Sequence, residues 1–367
     1  MSSSVAALFT PFRLKNLTLP NRVVMAPMTR SHSPGGVPGP DVAAYYRRRA
    51  EGGVGLIVTE GTAINNPPAV NDPKVPHLFG DAALAGWAHV VAEVHAAGGR
   101  IMPQLWHVGM MRAPGESPNP EVMPFGPSGI NCKGEAIGEA PSAQEIETVI
   151  AAYGEAAGNA KRLGFDGVEL HGAHGYLIDQ FFWALTNRRT DRFGGDMVGR
   201  TRFGVEVIQA CRRAVGPDFP IVLRFSQWKS VDYTVKLAET PDLLAKFLAP
   251  LVDAGVDMFH CSQRRFWEPE FDGSPLNFAG WTKKLSGKPT ITVGSVGLDG
   301  DIMGSFSGKV ISHIGLEQII KMRENDEVDL VAVGRAILAD SAWPNKIRAG
   351  RNRDLTPLGP TTFQTLT

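Results

Sequence analysis

Residues 142–173 read SAQEIETVIAAYGEAAGNAKRLGFDGVELHGA, which is a helical pattern followed by a short apolar run. Ser142 precedes Glu145 by three residues, the capping-box signature of a helix start, and the helical pattern extends to Gly164. The run at 167–173 is mostly apolar, as expected of a parallel strand that is buried on both faces. This stretch therefore predicts one helix–strand unit of an α/β fold.

The same alternation extends along the chain in both directions. Seven more apolar runs predict strands at residues 22–26, 55–61, 100–107, 221–226, 256–262, 289–295 and 328–335. Further helical patterns lie at 81–97, 200–214, 241–254 and 313–324. Eight strands alternating with helices favour a (β/α)8 TIM barrel over an open doubly wound sheet. No Gly-x-Gly-x-x-Gly separates a strand from a helix, so a Rossmann domain has no support. We expect one α/β domain over residues 1–367, with its core at about 8–350.

Two segments rich in Pro and Gly interrupt the alternation: parts of 32–80, and 108–141. The second follows the predicted third strand. Loops after barrel strands build the active site in this fold, so we expect 108–141 to be an insertion that caps the pocket. A surface loop without a role is the alternative.

Composition excludes several classes of protein. Lys plus Arg and Asp plus Glu both number 37, so the formal net charge is zero and no nucleic-acid partner is expected. Cys132, Cys211 and Cys261 are scattered, which fits neither a disulfide framework nor a paired-cysteine metal site and indicates a reducing compartment. The first residues do not resemble a secretory signal, and no apolar run is long enough to cross a bilayer. We expect a cytoplasmic protein with no membrane partner.

Polar residues at strand ends are the candidate functional groups. Arg224 lies inside an apolar strand pattern, where an arginine is costly unless an anion or several acceptors meet it. A structural ion pair is the alternative for that residue. The predicted seventh and eighth strands end in Ser295-Val296-Gly297 and Gly334-Arg335, the place where barrels commonly bind phosphate. Together these positions indicate a phosphorylated cofactor across the barrel mouth.

His171 and His174 follow the predicted fourth strand, with Tyr176 two residues further on. The two histidines could bind a metal, although no third ligand stands at a characteristic spacing. They could instead donate hydrogen bonds to one anionic oxygen, while the tyrosine phenol gives a proton. A purely structural role, in which they bind loop carbonyls, also remains open.

The strand-end motifs resemble those of the old yellow enzyme family. The resemblance covers about residues 8–350, and its most specific pieces are Asn21-Arg22-Val23-Val24-Met25-Ala26-Pro27-Met28-Thr29-Arg30, Gln104-Leu105-Trp106-His107, Glu169-Leu170-His171, Tyr176 and the run from Asn187 to Gly195. It implies a TIM barrel that binds FMN without a covalent bond and takes hydride from NADPH or NADH. It also implies a small-molecule substrate, an activated alkene such as an enone, an enal or a nitroalkene, whose C=C bond is reduced.

The resemblance also implies a role for each matching residue. The FMN-binding residues would be Pro27, Met28, Thr29, Gly61, Gln104, Arg224, Ser295, Val296, Gly297, Gly334 and Arg335. His171 and His174 would hold the substrate oxygen, and Tyr176 would protonate the α-carbon. Trp106 and Trp267 are further substrate-side candidates, and Phe266, Trp267 and Trp228 could form an aromatic roof.

Several positions depart from the family pattern, mostly on the substrate side. Many members have a tyrosine where this chain has Asn66-Pro67-Pro68, and Phe225-Ser226-Gln227-Trp228 stands where Ser-Pro is common. Three other functions stay open at this point: amine oxidation or demethylation on the same barrel, a metal-dependent hydrolase or lyase using the histidine pair, and a flavin-binding protein without turnover. Both a monomer and a homodimer are compatible with the sequence.

Overall fold

The computed structural model describes residues 5–299 and 315–367. Two short strands form an antiparallel hairpin, and eight parallel strands form a closed barrel. The hairpin consists of β1 (Phe12–Leu14) and β2 (Leu17–Leu19), and the barrel of β3 (Val23–Met25), β4 (Leu56–Ala63), β5 (Ile101–Trp106), β6 (Val168–His174), β7 (Ile221–Lys229), β8 (Met258–Ser262), β9 (Thr290–Val293) and β10 (Leu330–Val333). The strands follow one another around the barrel in chain order, and β10 closes it by pairing with β3. The predicted TIM barrel is confirmed.

Helices connect the barrel strands. The described helices are α1 (Pro40–Glu51), α2 (Asp81–Ala96), α3 (Ala143–Arg162), α4 (Leu177–Phe182), α5 (Met197–Arg200), α6 (Arg202–Val215), α7 (Pro241–Asp253), α8 (Phe278–Ser286), α9 (Glu317–Glu324), α10 (Arg335–Ala339) and α11 (Trp343–Arg348). Ser142 and Glu145 form the predicted capping box: each side chain accepts the other residue's backbone N–H. The helix predicted at 200–214 is two helices that meet at Thr201. Of the helix predicted at 313–324, residues 313 and 314 lie outside the described residues.

The barrel interior begins with an apolar layer near the N-terminal ends of the strands. This layer packs against the β1–β2 hairpin in one buried cluster, whose barrel members are Val24, Ala26, Leu56, Val58, Met102, Val222, Met258, Ile291, Leu330 and Ala332. The hairpin contributes Phe12, Leu14, Leu17 and Leu19 to the same cluster. The hairpin therefore closes the N-terminal end of the barrel, and the opposite end is left for a site.

Segment 108–141 packs against the loop that follows β6. Met110 donates its backbone N–H to the Gln180 Oε1 at 3.0 Å, and the Gln180 Nε2 donates to the Gly175 carbonyl at 2.6 Å. The Cys132 thiol donates to that same carbonyl at 3.3 Å. The segment thus supports the turn at Gly175, between two of the predicted site residues.

Within residues 5–299 and 315–367, no helix combines the length and the apolar character needed to span a membrane. All three cysteines are free and buried.

Candidate active site

A polar layer follows the apolar layer of the barrel interior. Side chains on a strand alternate between two faces, so the residue two positions after an inward apolar residue also points inward. On β5, Gln104 follows Met102 in this way; Arg224 on β7 and His260 on β8 lie two positions after members of the same apolar layer. Registry aligns Arg224 with both His171 on β6 and His260. The strands thus bring these polar groups together at the C-terminal end of the barrel.

A pocket with a cavity volume of about 120 Å³ opens at this end of the barrel. Its lining residues come from the loop after β3 and from β4, β5, β6 with its following turn, and β7: Pro27, Thr29, Gly61, Gln104, Trp106, His171, His174, Tyr176 and Arg224. All nine are candidates that the sequence analysis names.

Three aromatic side chains of the β6 end converge on this pocket. The His171 ring lies edge-on to the His174 ring at 5.2 Å and to the Tyr176 ring at 4.8 Å between centroids. Tyr176 is also edge-on to Trp106, with the centroids 5.2 Å apart. His174 and Gly175 have left-handed backbones, with φ of 66° and 85°, so the chain turns sharply enough to bring the tyrosine back beside the histidines.

The protonation states of this group suit hydrogen-bond donation by neutral rings. Burial, with the nearby Arg224 guanidinium as the next cause, holds the pKa of both His171 and His174 well below the usual histidine value. Burial also raises the pKa of Tyr176, so its phenol keeps its proton at neutral pH. Two neutral imidazoles and one protonated phenol therefore face the pocket.

Arg224 lies in a hydrogen-bonded network that reaches His174 through Ser262. Its Nη1 is 2.9 Å from the Nε2 of His260, and its Nη2 donates to the Ser262 Oγ at 3.4 Å. The Ser262 Oγ lies 2.8 Å from the His174 Nε2. Burial lowers the pKa of Arg224 from its ordinary value. The guanidinium nevertheless stays a cation at neutral pH, because the ordinary pKa of arginine is so high.

Gly61 permits the close approach of β4 and β5 at the pocket wall. The β4–β5 register shifts between Val58 and Gly61, which sets Gly61 opposite Gln104. A Cβ on Gly61 would lie 3.0 Å from the Trp106 ring. The absent side chain lets the Trp106 ring pack directly against the β4 backbone, so no side chain at position 61 intrudes on the pocket wall.

The residues predicted to hold a phosphate also come together. The Arg335 Nη2 donates to the Ser295 Oγ at 3.1 Å, so the ends of β9 and β10 meet. Ser295 and Gly297 have left-handed backbones, and a Cβ on Gly297 would lie 3.2 Å from the Trp343 ring. Val296, between them, is buried. Gly334 lies beside Met28, whose sulfur is 3.4 Å from where a Cβ would stand.

The aromatic residues of the substrate side do not all reach the pocket. Trp267 lines a separate cavity with Phe266 and residues of α9, and its ring packs edge-on against Phe266. Trp228 instead stacks on His174, with centroids 4.4 Å apart and ring planes 20° from parallel. Of the three roof candidates, only Trp228 contacts a pocket residue through a ring contact that the described structure records.

Two groups of site residues escape sequence reasoning. His260 and Ser262, which hold Arg224, carry a recognisable signal, because both lie on the same face of β8 as Met258. The second group is the fully buried ion pair of Asp179 and Lys229, with 2.5 Å between Oδ1 and Nζ. Asp179 also accepts the Gly175 N–H at 2.7 Å. No local sequence pattern predicts that Asp179 and Lys229 form an ion pair.

The described residues contain no group of three or more His, Cys, Asp or Glu side chains placed to hold a metal ion. His171 and His174 therefore have no third ligand of these types among residues 5–299 and 315–367.

The pocket fits a flavin in three respects. Among the described residues, three buried polar atoms of its lining have no hydrogen-bond partner: His171 Nδ1, Arg224 Nε and Trp106 Nε1. A buried unpaired donor costs about 1–3 kcal/mol, so such atoms indicate a ligand that pairs with them. The cation of Arg224 suits an electron-rich ring edge, and the Gly61 wall suits a flat ring. The barrel and this donor set define a flavin-dependent oxidoreductase.

Comparison with known proteins gives the same class. A family model described as the NADH:flavin oxidoreductase / NADH oxidase family matches residues 7–354. The chain belongs to this family, and the resemblance to old yellow enzymes is confirmed. It is therefore an FMN-dependent oxidoreductase that uses a nicotinamide cofactor.

Individual relatives cover most of the chain. It is 35% identical to an NADH oxidase of Thermoanaerobacter brockii over 95% of its own length but 52% of the relative, so it spans about half of that protein. It is 33% identical to 12-oxophytodienoate reductase 7 of Oryza sativa subsp. japonica, over 95% of this chain and 90% of the relative. A structure of morphinone reductase in complex with tetrahydroNAD superposes with a TM-score of 0.80 at 32% identity, covering 97% of this chain and 93% of that one.

Proposed function

We propose that this protein uses NADPH or NADH to reduce the C=C bond of activated alkenes, with Tyr176 as the proton donor. The observation that carries the proposal is the meeting of two imidazoles and a phenol in the pocket that Arg224 and Gln104 also line. The names of two similar proteins, a 12-oxophytodienoate reductase and a morphinone reductase, also describe reductases.

FMN supplies the hydride chemistry when it is bound. Gln104 and Arg224 would hold the pyrimidine edge of its ring, with Pro27, Met28, Thr29 and Gly61 alongside. The loops at Ser295, Val296, Gly297, Gly334 and Arg335 would hold its phosphate. Left-handed turns such as those at Ser295 and Gly297 present backbone N–H groups that favour anions. We propose that these parts belong to a single barrel domain over residues 1–367, with 108–141 as its capping segment.

The residues at the β6 end divide the remaining work. His171 and His174 donate hydrogen bonds to the substrate's carbonyl or nitro oxygen and stabilise the negative charge that develops there. Both are neutral, so they polarise the alkene without giving up a full proton. Tyr176 then delivers its proton to the α-carbon, and Trp106, edge-on to its ring, keeps the phenol in place. Amine oxidation on the same barrel has no need of this proton donor, and we place it second.

The test separates the two half-reactions of the FMN-loaded protein. Tyr176→Phe keeps the ring but removes the acid, so NADPH reduces the variant at the wild-type rate while oxidation by an enone slows by about 10²–10⁴-fold. Nitroalkenes are less affected, because water can protonate the stabilised nitronate later. Tyr153→Phe is the matched control: its hydroxyl is buried in α3 without a hydrogen-bond partner among the described residues. Unchanged enone turnover in Tyr176→Phe would remove Tyr176 from the mechanism.

Phenol binding tests the histidine pair. A phenolate held over FMN by His171 and His174 gives a long-wavelength charge-transfer band, which weakens when either residue becomes alanine. A band and an affinity unchanged in both variants would mean that the pair serves the scaffold alone.

A further inference from the structure

The buried Glu169 contacts Gln104 directly and is linked to Arg224 through His260. Its Oε1 accepts the Gln104 Nε2 at 2.8 Å, and its Oε2 lies 2.6 Å from the His260 Nδ1. Glu169 and His260 are both fully buried. Burial raises the pKa of Glu169, but His260, Arg224 and Gln104 outweigh that effect and bring the pKa below its usual value. Glu169 is therefore a carboxylate that accepts from both neighbours.

The carboxylate determines which nitrogen of His260 carries the proton. Burial, and then the Arg224 cation, lower the pKa of His260, so the ring is neutral and holds a single N–H. That N–H is on Nδ1, because Glu169 can only accept there. The Nε2 is left as the acceptor. The Arg224 Nη1, which can only donate, lies 2.9 Å from Nε2 and 3.2 Å from Nδ1, so it is nearer to the nitrogen that can accept.

Glu169 also determines how Gln104 presents its amide. One of the two N–H groups of Nε2 is committed to the carboxylate, which orients the amide and leaves its carbonyl oxygen and its second N–H for other partners. On Arg224, the Nη1 arm is committed to His260, and Nε has no partner among the described residues. One carboxylate thus fixes the donors and acceptors of two residues on different strands.

We propose that Glu169 and His260 are positioning residues that hold Arg224 and Gln104 in the orientation that binds the flavin edge. This inference rests on the proposed function, because it takes Arg224 and Gln104 as the flavin ligands. Neither positioning residue is among the lining residues of the pocket. Their effect reaches the cofactor only through the two ligands.

A pair of His260 variants provides the main test. In His260→Gln the amide can donate to Glu169 and accept from Arg224, whereas His260→Leu can do neither. We expect His260→Gln to bind FMN within about threefold of wild type. We expect His260→Leu to lose at least tenfold in FMN affinity, the size of one lost charge-assisted hydrogen bond. The midpoint potential of the bound flavin should fall in His260→Leu; a tenfold preference between redox states corresponds to about 30 mV for a two-electron couple.

A double-mutant cycle separates positioning from a general loss of stability. Glu169→Gln replaces one of the two accepting oxygens with an amide NH2, which then meets an N–H donor of Gln104 or His260. The double variant Glu169→Gln/Arg224→Ala should lose less FMN affinity than the product of the fold-losses of the two single variants. Glu270→Gln is the control, because Glu270 is also a largely buried glutamate with a lysine partner, Lys236. It should leave FMN affinity and potential unchanged.

The outcomes distinguish the two proposals. Independent effects of Glu169→Gln and Arg224→Ala, or equal losses in His260→Gln and His260→Leu, would overturn the positioning role. Wild-type FMN affinity and potential in Arg224→Ala would instead overturn the placement of the flavin edge, and with it the proposed function. If His260→Leu does not fold, the comparison of His260→Gln with Glu169→Gln decides the question: equal FMN affinity in the two refutes the positioning role.

Discussion

The Asp179–Lys229 pair allows a quantitative stability prediction. Both side chains are fully buried, the carboxylate and the ammonium are 2.5 Å apart, and Asp179 also accepts the Gly175 N–H at 2.7 Å. Asp179→Asn keeps the side-chain shape and an acceptor for Gly175, but leaves the lysine without a counter-charge. Breaking a buried pair in this way costs about 3–5 kcal/mol, because the remaining charge is desolvated and unpaired.

This free energy converts into a shift in melting temperature. The entropy of unfolding is about 2.1 cal/mol/K per residue, or about 0.8 kcal/mol/K for this chain. Asp179→Asn should therefore lower the Tm by about 4–6 °C, measured by calorimetry on the FMN-loaded protein. The double variant Asp179→Leu/Lys229→Met removes both charges and should recover most of the loss.

The exposed pair Arg47–Glu51 provides the control. These side chains are 42% and 51% exposed, so solvent screens the pair and Glu51→Gln should lower the Tm only slightly. A loss of that small size in Asp179→Asn as well would refute the reasoning, because the buried lysine would then have found water or another partner. A double variant less stable than Asp179→Asn would show that the pair contributes more than its replacement by apolar groups.

Three further predictions concern a close contact, a buried carboxyl group and the bound cofactor. Gly61→Ala places a Cβ 3.0 Å from the Trp106 ring and should cost about 1–3 kcal/mol through overpacking, with weaker FMN binding by fluorescence titration; an unchanged affinity would mean that this wall does not touch the ring. Burial raises the pKa of Glu60 to about 7, so the contribution of this group to stability is full below pH 4.5 and is lost as the pH rises through 7. Glu60→Gln should remove this decline of about 3 kcal/mol in the free energy of unfolding, measured by denaturant unfolding across that range. Parallel pH profiles of stability for the wild type and the variant would contradict the assignment. Removal of FMN should destabilise the fold by about 4 kcal/mol relative to protein with FMN at 1,000 times its Kd, and a Tm independent of FMN would exclude binding to the folded state.

The barrel is predictable from sequence because its signals are local. Every predicted strand overlaps an observed one, since buried parallel strands read as apolar runs whatever their neighbours are. The β1–β2 hairpin is not predicted, because three residues per strand are too few to show a period of two. The hairpin is buried by the apolar layer of the barrel, whose residues are spread along the chain and so do not appear in any short stretch of sequence.

Some missed helices carried usable signals. Pro40 and Asp41 open α1 in the way that proline and acidic residues commonly start helices, and Asn277 caps α8 by accepting the Gly280 N–H. Helices α4, α5, α10 and α11 have only four to six residues, so their amphipathic pattern is too short to recognise. Tertiary packing determines these short helices.

The pocket lining is predictable for a different reason than its support. The nine lining residues lie within barrel strands or in the loops that follow them, in motifs that resemble a known family. The position of Trp267 depends on how the loop after β8 folds, and alternation along a strand says nothing about it. Asp179 and Lys229 meet across β7 and α4, 50 residues apart in the chain, so their pairing follows only from the closed barrel.

The two layers of the barrel interior explain why stability and function can share eight strands. Apolar side chains near the hairpin contribute about 25 cal/mol for each square ångström removed from water, and they close the end of the barrel that needs no ligand. Two residues further along β5, β7 and β8, Gln104, Arg224 and His260 are buried at a cost that only paired donors and acceptors offset. Glu169 supplies that pairing within the protein, while Arg224 Nε and His171 Nδ1 have no partner among the described residues. Both unpaired atoms belong to residues that line the pocket, so a polar, electron-rich ring that pairs with them would recover part of the free energy that their burial costs.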